Sequence, residues 1–329
     1  MSRAARLAAY VLSLCLAVLV STGCAVQSQQ LRQSPPQGLA SRIELADTPF
    51  FAQTDYHCGP ASLATVLGAA GVPIDPDALI SEVYLPARRG SLQIEMLASA
   101  RRHGLIATVI EGSLTALLAE VAAGHPVLVL QNLGLSWAPS WHYAVVVGYD
   151  LDAHELILRS GTMKRQRMSL RTFEHTWRRA GFWGFVALPA GKLAISASEQ
   201  ATLNALLAFE RQATPEQSIK AYLPATRRWP ESLTLAMGLS HAQYAAGDHQ
   251  AAEHSLRETA QRHQSAAAYN NLAMVLLAQQ QCQAAAQAAD QAQRLAHNNP
   301  SEEPAAIDAA ITDTLSRIRQ HQLEHPHCR

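Results

Sequence analysis

From Gly191 onward the sequence carries almost no strand signal, and it repeats with a period of 33 residues. Ile219, Ala252 and Ala285 are spaced by 33, and so are Leu223, Leu256 and Ala289. A period of this length marks stacked supersecondary units rather than one irregular core. Small residues at recurring positions let paired helices approach closely. Gly247-Asp248 marks the turn within the middle unit, and Gln280-Gln281 is its weaker counterpart. Thr214-Pro215-Glu216 opens a less distinct first unit, and 304–320 reads as a capping helix. Before Gly191 the pattern changes. Helical stretches are expected at 60–70, 92–103 and 113–123, followed by strands at 127–130, 143–149, 155–158 and 182–188. Helices first and then an antiparallel sheet read as α+β. The expected organisation is therefore an α+β domain over 45–190 and an all-α array over 197–322.

The front part places Cys58 at the mouth of a predicted helix, in Gln53-Thr54-Asp55-Tyr56-His57-Cys58-Gly59-Pro60 followed by ASLATVLGAAG. Pro60 suits a first helical turn, where its missing N–H is not needed, and Gly59 permits a tight turn. Leu63, Val66 and Leu67 give the helix a buried face. A helix N-terminus or a neighbouring imidazolium lowers a thiol pKa, so this placement suits a nucleophile. The ordinary alternative is a small buried cysteine. The polar neighbours Asp55, Tyr56 and His57, and a histidine heading a downstream strand, weigh against it. That histidine is His142, in Trp141-His142-Tyr143 before the apolar run AVVVGY. His57 is the rival base, but a residue adjacent to Cys58 on a tight turn points its side chain away. A metal site built on Cys58, His57 and His142 lacks a fourth ligand, so neither metal nor cofactor is expected. Trp137 and Trp141 read equally as a substrate wall or as core, and Trp177 and Trp183 as packing.

QTDYHCGPASLATVLGAAG followed by WHYAVVVGY resembles the C39-like cysteine peptidases, relatives of the papain-like fold. The resemblance spans roughly residues 45 to 190. It implies a papain-like fold, an N-terminal helix packed on an antiparallel sheet. It also implies Cys58 as nucleophile, His142 as base and Gln53 as an oxyanion-hole donor beside the Cys58 N–H. The family pattern has an acidic residue at a third position, where this sequence reads Leu156-Ile157-Leu158-Arg159-Ser160-Gly161. Ser160 is the candidate orienter there, with Asn132, Asp150 and Asp152 left open. The 33-residue units resemble tetratricopeptide repeats, from which they depart by one residue in period and by the loss of most large aromatic markers. Such arrays form concave surfaces that bind peptides or proteins. The tail histidines His241, His249, His254 and His263 read as surface residues.

The N-terminus begins MSRAARLAAYVLSLCLAVLVSTGC, with Arg3 and Arg6 before an apolar run from Leu7 to Val20. Such a run is short for a membrane span and reads as an export signal over 1–23. Gly23-Cys24 resembles a bacterial lipoprotein processing site, although Ser21 stands where leucine is typical. The resemblance implies lipidation of Cys24, and Ala25 implies sorting to the outer membrane, facing the periplasm. Residues 24–44, rich in Gln, Ser and Pro, read as a flexible tether. Cys282 and Cys328 remain, with pairing open. The formal net charge is zero, and no basic cluster argues for nucleic acid. The best reading is an exported, lipid-anchored cysteine peptidase acting on a peptide or isopeptide bond, with repeats that recruit a partner or substrate. The alternative is a non-catalytic peptide-binding or scaffold lipoprotein that retains the fold.

Overall fold

The structure, a computed structural model, describes residues 26–52, 57–298 and 304–325. The export signal, Cys24, Gln53 and Cys328 lie outside the described residues. The chain begins with α1 (Val26–Gln33), β1 (Arg42–Glu44), α2 (Cys58–Ala69) and α3 (Pro76–Val83). A short hairpin of β2 (Tyr84–Leu85) and β3 (Gly90–Ser91) follows, then α4 (Gln93–Arg102), β4 (Leu105–Val109) and α5 (Leu114–Ala122). Next come β5 (Val127–Asn132), β6 (Trp141–Asp150), β7 (Glu155–Ser160), β8 (Met163–Ser169), α6 (Leu170–Arg178) and β9 (Gly184–Pro189). The rest is helical: α7 (Glu199–Glu210), α8 (Pro215–Arg228), α9 (Leu233–Ala245), α10 (His249–His263), α11 (Ala266–Ala278), α12 (Cys282–Asn298) and α13 (Pro304–Glu324).

The front region is built on a seven-stranded antiparallel sheet in the order β4-β9-β5-β6-β7-β8. β6 is the long central strand. β5 pairs with it over 141–146 and β1 over 148–150. The alternation of side chains along β6 sends Tyr143, Val145 and Val147 to one face and Ala144 and Val146 to the other. The first set packs with Leu63 and Leu67 of α2 and Met96 of α4. The second packs with Leu114, Leu117 and Leu118 of α5 and Phe173 and Trp177 of α6. Helices therefore cover both sheet faces. The simpler expectation of helices followed by a sheet missed β4, which lies between two helices, and the edge strand β8. The sequence of β8, MKRQRMS, is mostly exposed and shows no apolar period.

The segment read as a flexible tether is structured from Val26 onward. The Glu174 carboxylate, 3% exposed, accepts the N–H groups of Gln27 and Ser28 at 3.0 and 2.8 Å, capping the start of α1. Leu31 packs into the core beneath α6, and β1 joins the sheet. Composition flagged this stretch as polar, but Leu31, the Glu174 carboxylate and the Gln27 amide, bonded to Gly112 and Leu114, dock it.

The helical region shows repeat-like pairing of successive helices. Ser198, Ser232 and Ser265 cap α7, α9 and α11, each accepting the N–H three residues on. Thr214 and Asp248 cap α8 and α10. The less distinct first unit is therefore α7 with α8, and Thr214 opens its second helix. Gly247 and Gln280 occupy matching turns with positive φ, 77° and 61°. Gly238 lies against the Tyr222 ring, where an added Cβ would meet Cζ at 2.6 Å. The two regions are docked. Ile106 of β4 shares a core with Leu206, Phe209 and Tyr222, and Arg228 donates to the carbonyls of Ala194 and Ile195 at 2.9 and 2.7 Å.

Candidate active site

Cys58 is the first residue of α2, with His57 before it and no side-chain cap. Gly59 through Leu67 are all buried, so the helix is held on every side and its first residue is fixed in place. Gly59 serves a close approach rather than a tight turn. An added Cβ would meet Ser91 Cβ at 2.7 Å, so glycine lets the β2–β3 hairpin lie directly beside the thiol. The Tyr143 hydroxyl donates to the Ser91 carbonyl at 3.1 Å and ties that hairpin to β6.

Cys58 and His142 line one cavity of about 830 Å3, together with Ser91, Ser140, Trp141 and Tyr143. The Tyr143 backbone N–H is directed at the Cys58 sulfur, so the peptide unit joining His142 to Tyr143 borders the thiol. No hydrogen bond joins thiol and imidazole among the described residues. Ser160 Oγ lies 2.9 Å from His142 Nε2, and among the described residues Nδ1 is the ring nitrogen without a hydrogen bond. Ser160, 6% exposed, is the last residue of β7. The other orienter candidates do not reach the ring. Asn132 Oδ1 accepts the N–H groups of Gly134 and Ser140 at 3.0 and 2.9 Å and shapes the loop before β6. Asp150, at the far end of β6, faces Arg42 and Arg167, and Asp152 lies in the turn beyond it.

Electrostatics here run against the expectation of a lowered thiol pKa. Burial pushes the Cys58 thiol up, and the N–H groups of Tyr143, Gly59 and Cys58 itself only partly oppose it. Burial also pushes the His142 imidazole down. Each group is desolvated in its charged form, and among the described residues no neighbouring charge reverses that. Both directions favour a thiol and a neutral ring at rest. The Tyr143 phenol is pushed up by burial and by the nearby Cys58.

The remaining candidates sort clearly. The His57 ring lies edge-on to Tyr84 with centroids 5.2 Å apart and does not line the cavity. Trp141 is 55% and Trp137 82% exposed, so neither fills the core, and only Trp141 reaches the cavity. Trp177 is fully buried and donates to the Trp183 carbonyl at 2.9 Å. Cys58 is free, whereas Cys282 is disulfide-bonded. Among the described residues no cluster of three or more His, Cys, Asp or Glu side chains could hold a metal. No described helix is long and apolar enough to cross a membrane. The Tyr143 N–H contact was invisible in the sequence, because a backbone donor carries no residue signature.

Residues 45–184 match the Peptidase_C39 like family. No curated protein matches the chain. Among solved structures, a candidate C39-like peptidase from Bacillus anthracis is 19% identical, with 46% of this chain and 98% of that chain covered at a TM-score of 0.39. The peptidase domain of Streptococcus ComA, a bi-functional ABC transporter involved in quorum sensing, is 21% identical, with 43% and 98% covered at 0.36. The Yersinia enterocolitica type III secretion translocator chaperone SycD is 19% identical, with 38% and 96% covered at 0.35. These structural likenesses are distant, and the assignment rests on the family match. The chain joins a domain of C39-like peptidase fold to an α-helical repeat-like region.

Proposed function

We propose that the protein is an exported, lipid-anchored cysteine peptidase that hydrolyses a peptide or isopeptide bond. The observation that carries this reading is Cys58 at the start of a buried helix, in one cavity with His142, whose Nε2 is held by Ser160. The Cys58 thiol gives its proton to His142 Nδ1 as sulfur bonds to the amide carbonyl carbon. The Cys58 N–H and the Gln53 side chain stabilise the oxyanion. His142 returns the proton to the leaving amine as the C–N bond breaks, and water then releases the acyl group from sulfur. The tetratricopeptide-like array recruits a protein partner or the substrate. Lipid on Cys24 holds the molecule at the periplasmic face of the outer membrane, two residues before α1 begins at Val26.

The test is the rate at which a thiol-reactive electrophile labels Cys58, localised by mass spectrometry, in the native protein, its denatured chain and a His142→Ala variant. Faster labelling in the native protein that is lost with His142 is expected. Labelling no faster than in the denatured chain sinks the activated-thiol reading. One second reading has its own support: the raised thiol, the lowered imidazole and the serine at the third position favour a peptide-binding lipoprotein without turnover. Tight peptide binding with no cleavage and no His142-dependent labelling would select it.

A further inference from the structure

The hairpin held against Cys58 carries two adjacent arginines at its turn. Arg88 and Arg89 both line the cavity that contains Cys58 and His142, and among the described residues no aspartate or glutamate lines it. The chain as a whole has a formal net charge of zero, so two adjacent arginines in this described lining are a local arrangement. Arg88 is exposed and makes no side-chain hydrogen bond or ion pair among the described residues. Arg89 stands in the left-handed region at φ 47°, ψ 45°, unfavourable for any residue with a Cβ. Glycine follows it immediately at Gly90, so the sequence had the easier residue at hand one position away. Strain of this kind persists where surrounding structure imposes it and gathers at ligand clamps. Here the imposing structure is explicit: Gly59 admits Ser91, and the Tyr143 hydroxyl anchors the Ser91 carbonyl. The turn therefore cannot drift away from the thiol.

We propose that Arg88 and Arg89 form a carboxylate-binding subsite, so that the peptide entering this cavity carries an acidic group beside the scissile amide. The inference rests on the peptidase reading for its site and deepens it by naming the substrate chemistry. Guanidinium groups suit this task, because their planar forks match a carboxylate and stay charged at every accessible pH. Two chemical sources supply such a group, an acidic side chain or the α-carboxylate of a chain end, and both present the same two oxygens.

The first test needs no known substrate. Alkylation rates of Cys58 by anionic iodoacetate and neutral iodoacetamide are compared at about pH 8.5, where imidazole is uncharged. Relative to the unfolded chain, the iodoacetate-to-iodoacetamide ratio is expected to rise about fivefold, the scale of a partly exposed charge pair. It should fall to the unfolded value in Arg88→Gln/Arg89→Gln and below it in Arg88→Glu/Arg89→Glu. The iodoacetamide rate should stay constant across the series, which shows that the cavity survives. A ratio equal to that of the unfolded chain, or one indifferent to these substitutions, overturns the subsite. The second test stands apart from catalysis. Fluorescent hexapeptides are titrated onto a Cys58→Ala protein, one with internal Glu and an amidated end, one with Gln and an amidated end, and one with Gln and a free end. Preference for the first assigns an acidic side chain, and preference for the third assigns a chain end. In either case the preference must vanish in the double glutamine variant. Equal binding of all three overturns the proposal even if Cys58 proves catalytic. A preserved preference with no turnover keeps the subsite and discards the enzyme.

Discussion

At His142 the third group is a hydroxyl, and a hydroxyl differs from a carboxylate in more than strength. A carboxylate only accepts, so it forces the ring proton onto the nitrogen it faces; a serine both donates and accepts. Ser160 therefore permits two tautomers at Nε2, and only the one protonated at Nε2 leaves Nδ1 free to take the thiol proton. Ser160→Asp should fix that tautomer and stabilise the imidazolium. Cys58 labelling near neutral pH should rise roughly tenfold, a modest part of what an orienting carboxylate supplies elsewhere, while Ser160→Ala slows it. Equal slowing by both variants would show that Ser160 packs rather than orients. Burial raises Cys58 and lowers His142, which favours a neutral resting pair. The labelling rate should then keep climbing with pH above the ordinary thiol value of about 8.5. A pre-formed thiolate–imidazolium pair would instead give a plateau from about pH 5 to 8. That Cys58 opens a helix, His142 lies at the head of a strand and Ser160 falls at the end of the next was legible in the sequence, because each sits in a short local pattern. The direction of the thiol shift was not, because desolvation is set by the hairpin and by β6, which the local pattern does not contain.

Among the elements, α2 and the β2–β3 hairpin share one contact that decides whether the cavity exists. Gly59 admits Ser91 to a separation that leaves 2.7 Å between an added Cβ and Ser91 Cβ. Gly59→Ala must push the hairpin outward or tilt α2, and neither is free, since Tyr143 holds one and a fully buried helix the other. The expected cost is about 1–3 kcal/mol, as for other overpacked sites, read as a lower midpoint in denaturant. Cys58 labelling should change as well, because the hairpin wall moves with it. Unchanged stability and unchanged labelling would show that the approach is not tight in solution. The α2 helix was readable from its Pro60 and apolar positions. The hairpin was not, because two-residue strands carry no period, and β8 stayed hidden for the related reason that an exposed edge strand needs no apolar face. α1 escaped because its anchor, Glu174, is a distant residue.

At the scale of the whole molecule, the composition change near Gly191 falls inside a joint. Ala194 and Ala197 are 2% and 3% exposed and belong to the core of the front region. Ser196 donates its N–H and its hydroxyl to Glu120 Oε1 at 2.7 and 2.6 Å. Cutting after residue 190 would leave that buried carboxylate with His125 alone, at a cost of roughly 2 kcal/mol for lost hydrogen bonds to a charged group. A front piece ending at 198 should therefore be the more stable of the two. The same carboxylate makes the joint acid-sensitive. Burial alone would raise the Glu120 pKa, but hydrogen bonds from His125 and Ser196 outweigh it and hold the group below its ordinary range. A carboxyl lowered on folding contributes stability above its unfolded pKa, about 4.3, and loses that contribution as pH falls through the lower folded value. At neutral pH the 191–198 segment should resist proteolysis. Below about pH 4 it should become cleavable before the sheet or the repeats unfold. Glu120→Gln offers one carbonyl and no charge, so it should make the segment cleavable already at neutral pH and flatten the acid dependence. If cleavage in the Glu120→Gln protein follows the same pH curve as in the unaltered chain, other carboxylates govern the joint, and Ser196 is held by packing alone.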